Sequence, residues 1–143
     1  MRQKLYYQMC IRDSNKTINI EALTMLEMVK RDILPAVSAF GKTLAETIVA
    51  KKSVGAEIPV TAETEMLKRV STLLECLAKK SAALESAMLG VCDFEDAEAM
   101  AKYYHDTVIM AMQEVRMVVD ELEVVTAGEY WPYPTYGDLL FKV

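Results

Sequence analysis

The one histidine of the chain, His105, is the first residue whose type could do metal chemistry. A di-iron or di-manganese centre in a helical bundle takes Glu-x-x-His motifs from two helices, together with further glutamates that point inward. The residue three positions before His105 is Lys102, so the motif is not present even once. Because Asp106 stands beside it, we predict that His105 is a surface or bundle-edge residue.

The three cysteines, Cys10, Cys76 and Cys92, are the candidate nucleophiles or zinc ligands. No two of them have the spacing of a zinc site. A cysteine nucleophile needs a base in reach, and a single histidine makes that possible without indicating it. The N-terminus shows no apolar core followed by a small-residue cleavage site, so no secretory signal is indicated. We therefore predict three reduced cytoplasmic thiols, of which Cys76 and Cys92 fill space rather than react.

The acidic residues and the glycines do not form a reaction centre either. Glu121 and Glu123 cannot share one helix face, and the acidic run at 95–98 suits the positive end of a helix dipole. The glycines occur singly near the ends of predicted helices, so they form no phosphate-binding loop. We predict that this chain contains no catalytic, cofactor-binding or metal-binding residue and is inactive alone.

The charge pattern restricts the partners. The net charge is −5, and the basic residues are interleaved with acidic ones. The adjacent pairs Lys51–Lys52 and Lys79–Lys80 are typical of solvated helix faces, so we predict no nucleic-acid partner. The longest run without a charged residue is Ile33–Gly41, shorter than the roughly 20 apolar residues of a membrane span, so we predict no membrane partner.

Helical periodicity begins at about residue 20. The first predicted helix covers about 20–53, and its apolar residues recur every three or four positions: Leu26, Val29, Ile33, Val37, Phe40, Leu44 and Ile48. Pro35 lacks the N–H that would bond the carbonyl of Arg31, so we expect a kink near Leu34. Lys51 and Lys52 suit the last turn, and Gly55 follows as a stop.

Two further helices are predicted at about 62–89 and 94–127. Thr61 and Asp93 are their predicted N-caps, and Gly90 and Gly128 their stops. The apolar seam of the second is Leu67, Val70, Leu74, Leu77, Ser81, Leu84 and Met88. That of the third is Ala97, Ala101, Tyr104, Val108, Ala111, Val115, Val118, Leu122 and Val125. Short connections favour antiparallel neighbours. The sequence predicts an all-α fold, with 15–128 as an elongated three-helix up-down-up bundle.

The two ends of the chain differ from this pattern. Residues 129–143 read EYWPYPTYGDLLFKV, and Pro132 and Pro134 disfavour helical geometry before them, so we predict an extended aromatic tail that is held by docking. Residues 1–14 show no capping logic, and Met9–Ser14 resembles a translated sequencing adapter. We predict a non-native leader over 1–14; the alternative is one more helical turn through Tyr6, Tyr7 and Ile11.

Two strings carry a family resemblance. Residues 18–37, INIEALTMLEMVKRDILPAV, resemble the start of the C-terminal helical region of type III glutamine synthetases. Residues 129–141 resemble the extreme C-terminus of that family, and Ala101–Tyr104 and Asp106–Val108 resemble segments between them. The resemblance is collinear and covers about 15–143. It implies that the chain is the last part of such an enzyme, a truncated fragment.

The resemblance implies a parent enzyme that is a cytoplasmic homo-oligomer and joins ammonia to glutamate with ATP and magnesium or manganese. The catalytic motifs of that family lie upstream, and none of them is in this sequence, so no cofactor is expected in the fragment. The implied partners are the catalytic domain and neighbouring subunits. A free-standing helical interaction module is the alternative, and a ferritin-like oxidoreductase is disfavoured by the missing ligands.

Overall fold

The computed structural model describes residues 1–91 and 94–141, and it contains helices and no strand within them. The all-α prediction is therefore confirmed. We number the α-helices α1 to α6 along the chain: Arg2–Met28, Leu34–Val54, Thr61–Gly90, Ala97–Tyr103, Ile109–Val125 and Tyr136–Phe141. Two π-helical turns, Val29–Ile33 and Tyr104–Val108, join α1 to α2 and α4 to α5.

The predicted irregularity at Pro35 takes the form of the first π-helical turn. Proline has no N–H, and its ring collides with the carbonyl four residues before it, which an ordinary helix cannot accommodate. The wider π turn at Val29–Ile33 ends two residues before Pro35, which then stands in the first turn of α2. An inserted residue in a π turn is a common way to absorb such a conflict.

The packed residues agree with the predicted seams. Six of the seven seam positions between Leu26 and Ile48 are buried, and Ile48 is half-buried. Every seam position of the second and third helices is also buried or half-buried. Contacts divide the chain into two compact units, Met1–Val29 with Lys79–Met117 and Lys30–Ala78 with Val118–Val143.

In the first unit, α1 packs against α4 and the π turn that follows it. The Tyr103 hydroxyl donates to the Ala87 carbonyl at 2.8 Å, and its ring lies 5.0 Å from that of Phe94. This close approach requires a glycine at 90, because a Cβ there would lie 2.5 Å from the Tyr103 hydroxyl. The Lys80 ammonium lies 2.9 Å from the Glu114 carboxylate.

In the second unit, buried residues of the first π turn, of α2, α3 and α5, and of the C-terminal segment (residues 126–141) form the core: Ile33, Val37, Phe40, Leu44, Val70, Leu77, Val118, Leu122 and Trp131. An ion pair joins Lys51 at the end of α2 to Glu63 at the start of α3. The hydrogen bond from Lys51 lowers the pKa of the Glu63 carboxyl. This ion pair holds together the two ends of the connection between α2 and α3, which contains Gly55.

Several predicted boundaries differ from the structure. Helix α1 begins at Arg2, upstream of the predicted start near residue 20, because 2–28 contains neither proline nor glycine. The cap of α4 is Asp96, whose carboxylate accepts from the N–H groups of Glu98 and Ala99. Asp93, the predicted cap, lies outside the described residues. Thr61 is the first residue of α3 rather than its cap.

The predicted extended tail is wrong for its last part, because Tyr136–Phe141 forms helix α6. The T-x-x-D spacing of Thr135 and Asp138 explains the difference. It builds a capping box, in which two residues at the start of a helix satisfy each other's backbone donors. The two prolines precede this box and do not prevent it.

Candidate interaction site

Of the residues that could do metal or nucleophilic chemistry, the structure describes His105, Cys10 and Cys76. His105 is exposed in the second π turn and contacts the Asp106 carboxylate at 3.1 Å. Cys10 is exposed and Cys76 is half-buried, while Cys92 falls outside the described residues. Within 1–91 and 94–141, no three His, Cys, Asp or Glu residues are grouped to hold a metal ion.

The C-terminal segment, residues 126–141, is the candidate interaction site. Two aromatic side chains, Tyr130 and Trp131, attach its first part to the second unit. The Tyr130 ring lies 5.5 Å from the Phe40 ring, at an angle of 46°. The Tyr130 hydroxyl and the Thr43 hydroxyl share a hydrogen bond of 2.7 Å. Next along the chain, Trp131 is 8% exposed, which makes it the largest apolar side chain that this segment buries.

A third anchor ties the segment to the π turn. The Tyr133 hydroxyl donates to the Asp32 carboxylate at 2.5 Å. A hydrogen bond to a charged acceptor is stronger than one between neutral groups. Asp32 is one of the five residues of that turn. The π turn at Val29–Ile33 therefore also positions an acceptor for the C-terminal segment.

The capping box then fixes the start of α6. The N–H and hydroxyl of Thr135 donate to the Asp138 carboxylate at 3.0 and 2.9 Å. In return, the Asp138 N–H donates to the Thr135 hydroxyl at 3.2 Å. The N–H of Tyr136 donates to the Glu123 carboxylate of α5 at 3.2 Å. These bonds set the position of a six-residue helix that would not be stable alone.

Helix α6, which these bonds hold in place, presents apolar side chains to solvent. Four of its six residues are large, apolar and exposed: Tyr136 (68%), Leu139 (70%), Leu140 (69%) and Phe141 (84%). Tyr136, Leu139 and Leu140 follow the i, i+3, i+4 spacing of one helix face. The same spacing is used by helices that insert into apolar grooves of partner proteins. We call this exposed set the α6 face.

A shallow cleft lies in the same unit. It has a volume of about 300 Å³ and is lined by Met66 and Arg69 of α3 and by Val124 and Val125 of α5. Met66 is 45% exposed and Val124 is 81% exposed, so apolar side chains form walls of this cleft. We call it the α3–α5 cleft.

The helical run Arg2–Val54 is long and apolar enough to cross a membrane by length and composition alone. Its most apolar window has a mean hydropathy of 1.3, and 22% of that window is buried in the protein. The test tolerates two charged residues in the window, so the window is longer than the charge-free run Ile33–Gly41. A mostly buried core helix of a soluble protein and a signal sequence near the N-terminus pass the same test, so one such helix is weak evidence for a membrane span. Val37, Phe40 and Leu44 are buried at the spacing of a packed helix.

Comparison with known proteins identifies the relatives of this chain. The family model for the glutamine synthetase C-terminal domain matches residues 4–52. A glutamine synthetase from Butyrivibrio fibrisolvens is 35% identical over 153 residues, covering 99% of this chain and 21% of that protein. The chain matches the C-terminal region of glutamine synthetases. A type-3 glutamine synthetase from Dictyostelium discoideum is 30% identical over 135 residues, covering 89% of this chain and 18% of that protein.

The matches confirm the family resemblance and its position in the enzyme. The chain spans about a fifth of the length of the curated glutamine synthetases that it matches. The span of the family model begins at residue 4, so it overlaps the predicted leader 1–14. The structure adds an observation from the same segment, since the side chains of residues 1–10 are all exposed. A non-native origin of the leader stays a prediction.

Proposed function

We propose that this chain is an accessory region that shapes the assembly of a type III glutamine synthetase and leaves the chemistry to residues elsewhere in the enzyme. The parent reaction would be the ATP-dependent ligation of ammonia to glutamate, with magnesium or manganese. The proposed partners are the catalytic domain and neighbouring subunits of a cytoplasmic homo-oligomer, with no nucleic-acid or membrane partner. The matches to the C-terminal part of such enzymes support this proposal.

The observation that carries the proposal is the α6 face. A large apolar side chain gains about 1.5–3 kcal/mol on burial, so four exposed on one short helix are costly to leave in water. The anchors at Tyr130, Trp131 and Tyr133 and the box at Thr135 hold this helix in a defined position. A surface that is both apolar and held in place is typical of a binding site.

We also propose the up-down-up arrangement of three helical segments. Two contacts in the second unit support it, because Lys51 pairs with Glu63 and a Cβ on Gly41 would lie 3.7 Å from Leu67. Contacts of this kind, in which one residue number falls as the other rises, are those of antiparallel helices. In the first unit, the pairs Lys80–Glu114 and Ala87–Tyr103 follow the same rule.

Truncation tests the assembly role. A full-length enzyme that carries this region, ended after Gly128, should lose oligomer stability because the α6 face and its anchors are removed together. Size-exclusion chromatography with light scattering measures the mass at decreasing protein concentration. The expected result is dissociation at a concentration at least tenfold higher than for the intact enzyme. An oligomer of unchanged mass and stability would confine the segment to covering its own core.

A further inference from the structure

We propose that a cleft between α1 and residues 95–104 binds a small zwitterion, a molecule that carries one carboxylate and one ammonium group as an amino acid does. The cleft has a volume of about 410 Å³ and lies entirely within the first unit. That volume is near the lower end of the range for ligand pockets, so it suits a small ligand. Because the α6 face belongs to the other unit, the inference does not depend on the proposed role in assembly.

One wall of the cleft is a polar face of α1. Four of its residues line the cleft at the i, i+3, i+4, i+7 spacing of one helix face: Arg12, Asn15, Lys16 and Asn19. They supply two positive charges and two side-chain amides, and an amide both donates and accepts hydrogen bonds. Three of the four follow the predicted leader 1–14, so the wall does not consist of leader residues alone.

Asn15 is a buried polar residue that faces the cleft. It is 6% exposed, yet its side-chain amide has no hydrogen-bond partner among the described residues. The described side-chain atoms that lack both a partner and contact with solvent belong to Ser81 and Thr126, so the Asn15 amide reaches the open space that it lines. A polar group taken out of water without a replacement bond costs free energy. A ligand that bonds this amide therefore makes a bond that the described residues leave unmade.

Opposite charges line the cleft without pairing with each other. Arg12 and Lys16 come from α1 and Glu95 from the other segment, and the described part of the chain shows no ion pair or hydrogen bond of these three side chains. The other charged residues within 12–19 and 95–104 do not line the cleft: Asp13, Asp96, Glu98 and Lys102. The lining therefore offers two positive charges and one negative charge to a ligand.

These charges select the class of ligand. The guanidinium of Arg12 and the ammonium of Lys16 attract a carboxylate. The Glu95 carboxylate attracts an ammonium group. A simple anion would meet the unpaired Glu95, and a simple cation would meet the two basic residues, so a molecule with both charges is the better match. Met100 adds an apolar contact for the rest of the ligand.

The second π turn begins at this cleft. Tyr104 is the first residue of the turn, is 4% exposed and lines the cleft. Single π turns inside α-helices occur frequently at functional sites. Shaping the cleft is therefore a role for a turn that no proline or glycine explains.

Isothermal titration calorimetry of the 143-residue chain tests the proposal. The probes are L-asparagine and L-glutamine, because their side-chain amides can bond the amide of Asn15. Each is compared with its N-acetyl derivative, which lacks the ammonium group, and with its α-amide, which lacks the carboxylate. At least one amino acid should bind saturably with a Kd below about 1 mM, and both of its derivatives should bind at least about tenfold more weakly.

Variants that remove one charge locate the binding. Lys16→Gln and Glu95→Gln should each raise the Kd at least about tenfold. Their matched controls, Lys102→Gln and Glu98→Gln, remove the same charges outside the cleft and should change the Kd by less than about twofold. All four residues are exposed, so the fold should persist, and circular dichroism checks it. Asn15→Ala removes the buried amide and should also weaken binding, while the exposed variants decide the matter if this change unfolds the chain.

Three results would overturn the proposal. The first is the absence of saturable binding by either amino acid. The second is equal binding of a derivative that lacks one charge, because the cleft would then not read both charges. The third is an equal loss of affinity in the cleft variants and their controls, because the ligand would then bind elsewhere. The truncation experiment on the full-length enzyme is independent of all three.

Discussion

Helices α1 and α6 are the first and last helices that the structure describes, and both expose aromatic and apolar side chains, but they are held in different ways. At the N-terminal end, the first ten side chains are exposed and the first buried residue is Asn15. At the C-terminal end, Tyr130, Trp131 and Tyr133 fix the segment before the exposed α6 face begins. Exposed apolar side chains occur both on binding surfaces and on unpacked segments. Only the binding surface also needs contacts that hold its helix in place, as the anchors of α6 do.

Among the changes that test this difference, replacing Trp131 by alanine should lower the stability of the protein the most. Truncating a buried aromatic residue removes its transfer free energy and leaves a cavity, so we expect a loss of about 3 kcal/mol in the free energy of unfolding. Urea denaturation measures it. The matched control is Tyr136→Ala, a residue that is 68% exposed and should change stability by about 0.5 kcal/mol at most. Equal losses in the two variants would contradict the anchoring role of Trp131.

The hydroxyl anchors should have an intermediate effect. Tyr133→Phe removes a hydrogen bond to the Asp32 carboxylate and should cost about 1.5 kcal/mol, because bonds to charged groups contribute more than neutral ones. Tyr130→Phe is the control, since it removes a neutral, exposed bond to Thr43 and should cost about 0.5 kcal/mol. Chemical denaturation of both variants and of Asp32→Ala, which should match Tyr133→Phe, gives the comparison. A silent Tyr133→Phe would show that this bond does not hold the segment.

Deleting residues 1–14 should have the smallest effect. Exposed side chains that lack packing partners contribute little to folding, so the thermal midpoint should change by no more than about 2 °C. Differential scanning calorimetry of the shortened chain measures it. A fall of about ten degrees or more would show that this part of α1 stabilises the fold, and would favour a native origin, in line with the family match from residue 4.

The sequence predicted the helical fold and most of the core because these follow from local periodicity. Residues such as Val37, Leu77 and Leu122 stand at the predicted seam positions and are fully or almost fully buried. Pro35 indicated where the first long helical run is interrupted, although the form of the interruption depended on how the turn from Val29 could absorb the ring. The second π turn at Tyr104–Val108 has no proline or glycine to indicate it.

The interaction site was predicted only in outline. The aromatic residues and prolines indicated a docked segment, whereas helix α6 is indicated by the T-x-x-D spacing of Thr135 and Asp138, which follows the prolines and builds a capping box. The bond between Tyr133 and Asp32 joins residues 101 positions apart, so no local pattern indicates it. Contacts of this kind arise from tertiary packing rather than from spacing along the chain.

Hydrogen exchange of α6 tests the central claim most directly, namely that the anchored apolar face is covered when the enzyme assembles. The comparison is between the isolated 143-residue chain and a full-length enzyme that carries it, with peptides covering 2–14 and 135–141. In the isolated chain, diluted until it is monomeric, the few exposed hydrogen bonds of α6 should exchange quickly despite its capped first turn. The account predicts at least tenfold slower exchange over 135–141 in the assembled enzyme, with little change over 2–14. Equal exchange of α6 in both samples would contradict it.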